Sequence, residues 1–190
     1  MGHQAADVAF VPLNIAVLTV SDTRTLATDT SGQALVDGLT EAGHILADRH
    51  LVRDDVYQLR AVVSQWIADS RVHVVLVTGG TGFTDRDSTP EALMPLLDKQ
   101  IEGFGELFRS ISLQEIGTST VQSRAFGGLA NHTAIFCMPG STNACRTAWN
   151  KILVEQLDAR HRPCNFVGQV LKKSETAQPM PAPSSCGPRP

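Results

Sequence analysis

The chain has 190 residues, 42% of them hydrophobic and 18% charged, with a formal net charge of −3. That length suits one domain that removes roughly 70% of its unfolded surface from water, enough for a self-sufficient core. The slightly acidic balance and an aromatic content of 5% exclude an electrostatic or base-stacking case for nucleic acid, and no apolar run is long enough to span a bilayer.

The first ten residues, MGHQAADVAF, lack the basic and apolar regions of a secretory signal, so a cytosolic (cytoplasmic) protein is expected, with Cys137, Cys145, Cys164 and Cys186 reduced. No C-x-x-C pair and no H-E-x-x-H spacing occurs, so a structural zinc site is not expected. Three segments are expected: a flexible arm over 1–12, one domain over 13–173, and a Pro- and Ser-rich disordered tail over 174–190 with almost nothing to bury.

In chain order, Leu13 to Val20 is almost wholly apolar and predicts a first strand, which ends in the polar loop Ser21-Asp22-Thr23-Arg24. Asp29-Thr30-Ser31 offers N-caps for a helix running to Ala42, with Leu35, Val36, Leu39 and Ala42 on its apolar face and Gly43 just past its end. His44 to Arg53 predicts a strand ending in Asp54-Asp55. Leu59, Val62, Val63, Trp66 and Ile67 then follow helical spacing. For either acid alone, capping that helix is the simpler role, although a cap can also face a ligand.

The stretch Val74 to Leu97 organises the rest. A β-branched run, Val74-Val75-Leu76-Val77, leads into Gly79-Gly80-Thr81-Gly82, then the polar loop Asp85-Arg86-Asp87, then a helix start at Ser88-Thr89-Pro90-Glu91. Either Thr89 caps with Pro90 at the first helical position, or Ser88 caps with Glu91 closing a capping box. Glycines let backbone N–H groups approach an anion, and a helix start adds partial positive charge. The stretch is not a P-loop, because no lysine lies between Val74 and Asp98. It is not a dinucleotide fingerprint either, because Asp85 stands where the third glycine belongs.

Phe104, Leu107, Phe108 and Ile111 mark a further helix whose apolar face, with Phe126-Gly127-Gly128-Leu129, is expected to leave apolar surface for a partner subunit. Residues 117–125, small hydroxyl side chains followed by Arg124, suit an anion site or a capped surface helix equally well. Thr133 to Met138 predicts the last clear strand, ending in Pro139-Gly140-Ser141-Thr142 before a helix that buries Cys145, Ala148, Trp149, Ile152 and Leu153. Cys145 reads as core rather than nucleophile. The alternation predicts an α/β protein, with a mostly parallel sheet between helix layers and one composite site at the carboxyl ends of its strands.

Several motifs together resemble the molybdopterin-binding fold: TGGTG followed by RDSTPEA, the LTVSD strand end, and MPGS before the last helix. The longer stretches FGELFRSISLQEIGTSTVQSRA and ACRTAWNKILVEQLDARHRPCNF point to the branch of molybdenum cofactor biosynthesis protein B, similar to the molybdopterin adenylyltransferases. The resemblance covers about Leu13 to Lys173. It implies a three-layer α/β/α sandwich and adenylylation of molybdopterin by ATP with Mg²⁺, with pyrophosphate leaving. It also implies a homotrimer or a hexamer of two trimers, and other proteins of molybdenum cofactor biosynthesis as partners.

By motif, the resemblance makes Asp87 the catalytic loop carboxylate and a Mg²⁺ ligand, and Asp54 the second acid, with Asp55 as its alternative. Gly79, Gly80, Thr81 and Gly82 would contact nucleotide and phosphate, and Ser21 and Asp22 would line the same pocket. Ser123, Arg124, Pro139, Gly140 and Ser141 would serve the pterin and its phosphate. The competing reading is a protein of the same pathway that binds molybdopterin or a nucleotide without turnover. The acid retained in the GGTG loop favours the enzyme.

Overall fold

A computed structural model describes residues 8–173. The tail expected over 174–190 and most of the expected arm lie outside the described residues. Within them, six strands form one sheet: β1 (Asn14–Val20), β2 (Ile45–Val52), β3 (Val74–Thr78), β4 (Lys99–Gln100), β5 (Phe126–Ala130) and β6 (Thr133–Met138). Their spatial order is β2-β1-β3-β6-β5-β4. The first four in that order run parallel, and β5 is antiparallel to both β6 and β4.

The helices are α1 (Thr30–Glu41), α2 (Val56–Ala68), α3 (Thr89–Leu93), α4 (Glu102–Ile116), α5 (Thr142–Ala148), α6 (Val154–Gln156) and α7 (Val167–Val170), with a π-helical stretch, Trp149–Leu153, joining α5 to α6. None of the described helices is long and apolar enough to cross a membrane.

Two cores follow from the period of two along each strand. Ile15, Val17, Val74, Leu76, Ala134, Phe136 and Met138 face one side, against Leu35 and Leu39 of α1, Phe104 and Phe108 of α4, and Cys145, Ala148 and Trp149. Ala16, Leu18, Val75, Val77, Ile135 and Cys137 face the other, against Leu59, Val63 and Trp66 of α2 and Ala92 and Leu93 of α3. Both faces of the central strands are covered, which is why they read as unbroken apolar runs. The expected three-layer α/β/α architecture is the one observed.

Three expectations need correcting. Ser88 takes the N-cap position of α3, but no side-chain cap bond and no capping box form there. Thr89 Oγ1 donates to Gly79 O (2.8 Å), Ser88 Oγ donates to Asp54, and Glu91 pairs with Arg124 instead of reaching back to Ser88. Tertiary acceptors compete successfully for hydroxyls that local spacing assigns to a cap.

The apolar face of α4 is largely spent inside the subunit. Phe104 is buried against Phe136 and Phe108 against Phe104, whereas Leu107 is 47% exposed. Phe126 to Leu129, read as loose apolar surface, belongs to strand β5, whose glycines obscure the strand pattern. Its hairpin to β6 turns at Asn131 and His132, both with positive φ (46° and 60°). That is the conformation a two-residue turn of this hand requires.

The arm, expected to be loose through residue 12, is anchored at its end: the Phe10 ring lies 5.2 Å from that of His44 and under the Arg160 guanidinium.

The division of α4 gives a direct check. Phe108→Ala is expected to cost about 3–5 kcal/mol in urea unfolding, as for other large-to-small aromatic changes in a closed core. Ser110→Ala, on the exposed side of α4, is expected to change stability by no more than about 0.5 kcal/mol.

Candidate active site

The sheet register decides which loops meet. Thr19 of β1 pairs with Thr78 of β3, and Thr78 pairs with Met138 of β6, so these three strands finish at one level. Val20 is likewise level with Val52 of β2, which brings Asp54 to the same edge. The loops beginning at Ser21, Gly79 and Pro139 enclose a cleft of about 300 Å³ lined by Thr19, Val20, Ser21, Arg24, Thr78, Gly79, Gly80, Thr81, Gly82, Asp87, Pro139 and Gly140. A larger, mainly apolar groove of about 650 Å³ lies between α3 and α4, beyond Arg124, and contains no residue of the glycine loop. The smaller cleft is the one that joins backbone donors to a carboxylate, so it is the candidate site.

Two glycines are required by geometry. Gly79 has φ 106° and a Cβ there would lie 2.2 Å from Val20 O; Gly80 has φ 64° and a Cβ would lie 2.5 Å from Asp54 Oδ2. Gly79 donates its N–H to Met138 O (3.0 Å), while Gly80 and Thr81 donate theirs to no acceptor among the described residues. Both residues line the cleft, where unpaired backbone N–H groups suit an anion.

The carboxylates differ in state. Burial by itself would raise the Asp87 carboxyl. Hydrogen bonds from Thr84 and from the Gly82 backbone, with the nearby Arg124 charge, outweigh it and hold Asp87 below the usual range. Asp54 moves the opposite way. Desolvation raises it, helped by the charges of Asp87 and Asp22, and the two hydrogen bonds from Ser88 only partly offset this. Asp22 is lowered chiefly by its hydrogen bonds from Arg86.

The acidic pair is divided by role: Asp55 accepts from Tyr57 N and Gln58 N (3.0 and 2.9 Å) as the cap of α2, leaving Asp54 at the sheet edge. Cys145 is buried against Thr78, with its thiol pushed up to about 11 by desolvation, which fits the core role read from its spacing.

The sequence-expected residues therefore fall into two groups. Ser21, the four residues Gly79 to Gly82, Asp87, Pro139 and Gly140 line the cleft. Asp54 abuts Gly80 from behind, and Asp22 ties to Arg86 (2.7 Å), linking the β1 loop to the loop that carries Asp87. Ser141 stands one residue beyond the lining and caps α5 by accepting from Ala144 N (3.1 Å).

Ser123 and Arg124 do not reach the cleft. The Arg124 guanidinium donates to Gly82 O (2.7 Å), Asp87 O (2.9 Å) and Glu91, with its carbon 5.1 Å from the centre of the Phe83 ring. It braces the glycine loop from behind. Arg24 lines the cleft but was not singled out in the sequence. It is one polar residue among several in its loop, and only the fold reveals where it lies.

The model of the family described as "probable molybdopterin binding domain" matches residues 16–159. The chain belongs to the molybdopterin-binding domain family. It is 59% identical over 157 residues to molybdenum cofactor biosynthesis protein B of Escherichia coli (strain K12), covering 83% of this chain and 92% of that protein. A crystal structure of a molybdenum cofactor biosynthesis protein B superposes with a TM-score of 0.78 at 41% identity, covering 88% of this chain and 99% of that one. A tungsten cofactor synthesizing protein, MoaB of Pyrococcus furiosus, gives a TM-score of 0.67 at 34% identity, covering 74% and 90%. Within the molybdopterin-binding family, the chain is therefore of the molybdenum cofactor biosynthesis protein B branch.

No group of three or more His, Cys, Asp or Glu side chains converges on a metal position among the described residues. Asp87 is the single carboxylate in the cleft lining, with Asp54 behind Gly80, a donor set that fits a cation such as Mg²⁺, which retains waters and needs few protein ligands.

The opposite shifts of the two acids predict opposite pH effects. Asp87, with a depressed folded pKa, adds stability above its unfolded value near 3.8 that is lost as pH falls through the folded value. Asp54, with a raised folded pKa, lowers stability as pH rises from 3.8 through the folded value, and the loss persists above it. Melting temperatures are expected to fall for Asp87→Asn at pH 7, and by less as pH is lowered below 3.8. Asp54→Asn, whose amide oxygen can still accept from Ser88, is expected to raise the melting temperature at pH 7.

Proposed function

We propose that this chain acts in molybdenum cofactor biosynthesis, binding molybdopterin at the carboxyl edge of the sheet and adenylylating it with Mg-ATP. The observation that carries the reading is the cleft itself: free N–H groups of Gly80 and Thr81 beside an ionised Asp87, on a loop held by Arg124. Family membership and the pathway named for the relatives support it.

In the reaction, an oxygen of the terminal phosphate of molybdopterin attacks the α-phosphorus of ATP. The new P–O bond forms as the bond to the bridging oxygen of pyrophosphate breaks, and pyrophosphate leaves with that electron pair. The attacking oxygen is already ionised near neutral pH, so the protein's task is positioning and charge stabilisation. Gly80 and Thr81 hold phosphate oxygens through their N–H groups, and the thin glycine backbone lets the two substrates approach. Mg²⁺, held by Asp87 with Asp54 nearby, would neutralise phosphate charge. Pro139 and Gly140 form the opposite wall and face the pterin side, with Ser141 just beyond it at the cap of α5. Arg124 serves this site by fixing the loop rather than by touching substrate.

The test is AMP transfer from ATP to molybdopterin by the purified protein. Asp87→Asn is expected to lower turnover by at least about two orders of magnitude, the scale on which single charge-stabilising groups act, with an unchanged circular dichroism spectrum. Near-normal turnover of this variant at saturating ATP and Mg²⁺ contradicts the assignment. Binding of molybdopterin without transfer by the unmodified protein favours a carrier in the same pathway.

We further infer a trimer, or a hexamer of two trimers. Support comes from the family resemblance and from Leu107, Leu113, Ile116 and Val121, which remain exposed on α4 and the turn that follows it (47%, 47%, 52% and 74%). Light scattering at low micromolar concentration is expected to give a multiple of three subunit masses, and a monomer mass there overturns the inference.

A further inference from the structure

Among the residues lining the cleft, Arg24 is the sole cation, and the reaction outlined above gives it no task. Its guanidinium is fixed on one side only. Nη1 donates to Ser31 Oγ (2.7 Å), and Ser31 Oγ donates in turn to Gly140 O (2.8 Å), so the arginine is pinned to the start of α1 and to the loop after β6. Its own backbone N–H donates to Ser21 Oγ (3.1 Å), which sets the curl of the loop that carries it.

The other edge of the guanidinium, Nε with Nη2, donates to no acceptor among the described residues, and the side chain remains 33% exposed. That edge is the one with which Arg86 takes hold of Asp22, and Arg71 of Asp69. It presents two parallel N–H bonds that match a carboxylate or a phosphate.

Charge behind Arg24 leaves it available. Asp29 is buried and already satisfied: Oδ2 accepts from Thr19 Oγ1 (2.7 Å) and Arg49 Nη2 (3.0 Å), and Oδ1 accepts from Gly32 N (2.9 Å). Arg24 Nη1 lies 3.8 Å from Oδ1 without a hydrogen bond to it. Two guanidinium groups against one carboxylate leave one positive charge, and Arg24 carries it to the cleft wall. Asp87 supplies a negative charge elsewhere in the lining. The cleft is thus polarised, with a metal-friendly acid and a metal-free cation.

We propose that Arg24 is the phosphate anchor of the cleft, gripping a phosphate oxyanion through its free Nε–Nη2 edge while the Gly80 and Thr81 N–H groups hold the same ligand from the glycine loop. The ligand class is a phosphate monoester or a phosphoanhydride, and the end that Arg24 takes is the one without metal. This rests on reading the cleft as a site of phosphoryl chemistry, but not on which phosphate is transferred.

The experiment uses the full chain and inorganic pyrophosphate without Mg²⁺, followed by titration calorimetry. The unmodified protein is expected to bind, and R24Q to bind at least about tenfold more weakly, since one lost charge-assisted hydrogen bond is worth about that factor and the edge offers two. R24K, a point charge without the planar fork, is expected to recover only part of that loss. The unliganded melting temperatures should stay close together, because the Ser31–Gly140 bond survives in both variants.

Equal pyrophosphate affinity in R24Q and the unmodified protein, or no binding by the unmodified protein, overturns the anchor. If the unmodified protein binds pyrophosphate through Arg24 yet transfers no AMP, the anchor stands and the adenylylation reading falls. If it transfers AMP while R24Q keeps the same pyrophosphate affinity and the same KM for both substrates, the anchor falls and the adenylylation reading stands.

Discussion

Thr19, Thr78 and Met138 lie side by side across three neighbouring parallel strands, and this common finishing level is what the site depends on. A shift of one residue in any of these strands would turn its apolar side chains to the wrong layer, so the two cores lock the register. The loops that emerge are crowded. Gly79 passes so close to Val20 O that a side chain has no room, and Gly80 is pressed between Thr89 and Asp54. Crowding forces glycine at both positions, and beyond Gly79, whose N–H goes to Met138 O, the N–H groups of Gly80 and Thr81 meet no acceptor among the described residues. Packing and chemistry at this edge have a single origin.

The charges around the cleft are separated rather than pooled. Asp87 is kept ionised by hydrogen bonds on its own loop, and Asp54 is pushed toward its protonated form by burial among neighbouring acids. Arginines set the positions. Arg86 ties Asp22 across the loops, Arg124 fastens the backbone of the Asp87 loop, and Arg24 stands in the lining itself. Two of these three spend their donors on protein groups, so a count of positive residues near the site would misjudge how much charge is offered to a ligand.

Much of this was legible in the sequence. The parallel strands announced themselves as apolar runs, the amphipathic helices by spacing, and the edge residues by glycines and acids at strand ends. What escaped notice was contact over long sequence separation. Ser88 and Thr89 looked like caps because a cap is the local use of a hydroxyl; Asp54 and Gly79 O, their actual partners, are close only after folding. Asp54 and Asp55 are adjacent and chemically identical, and it is the helix that selects Asp55 as its cap. Arg124 carries the sign expected of a phosphate ligand, yet carbonyl oxygens from the neighbouring loop occupy it. Strand β5 was hidden because its glycines dilute the alternation on which strand reading relies.

The strand order has a consequence for how the chain comes into being. The central strand β3 lies between β1 and β6, the first and last strands of the sheet to leave the ribosome. Until β6 arrives, β3 has one side unpaired, and its sequence, VVLVT, is the kind of bare apolar edge that recruits other chains. The glycine loop is likewise without its opposite wall, because Pro139 and Gly140 follow β6. A nascent or truncated chain that stops short of Met138 therefore carries a sticky edge and an unformed cleft at once, so completion of the site and protection from aggregation arrive with the same strand.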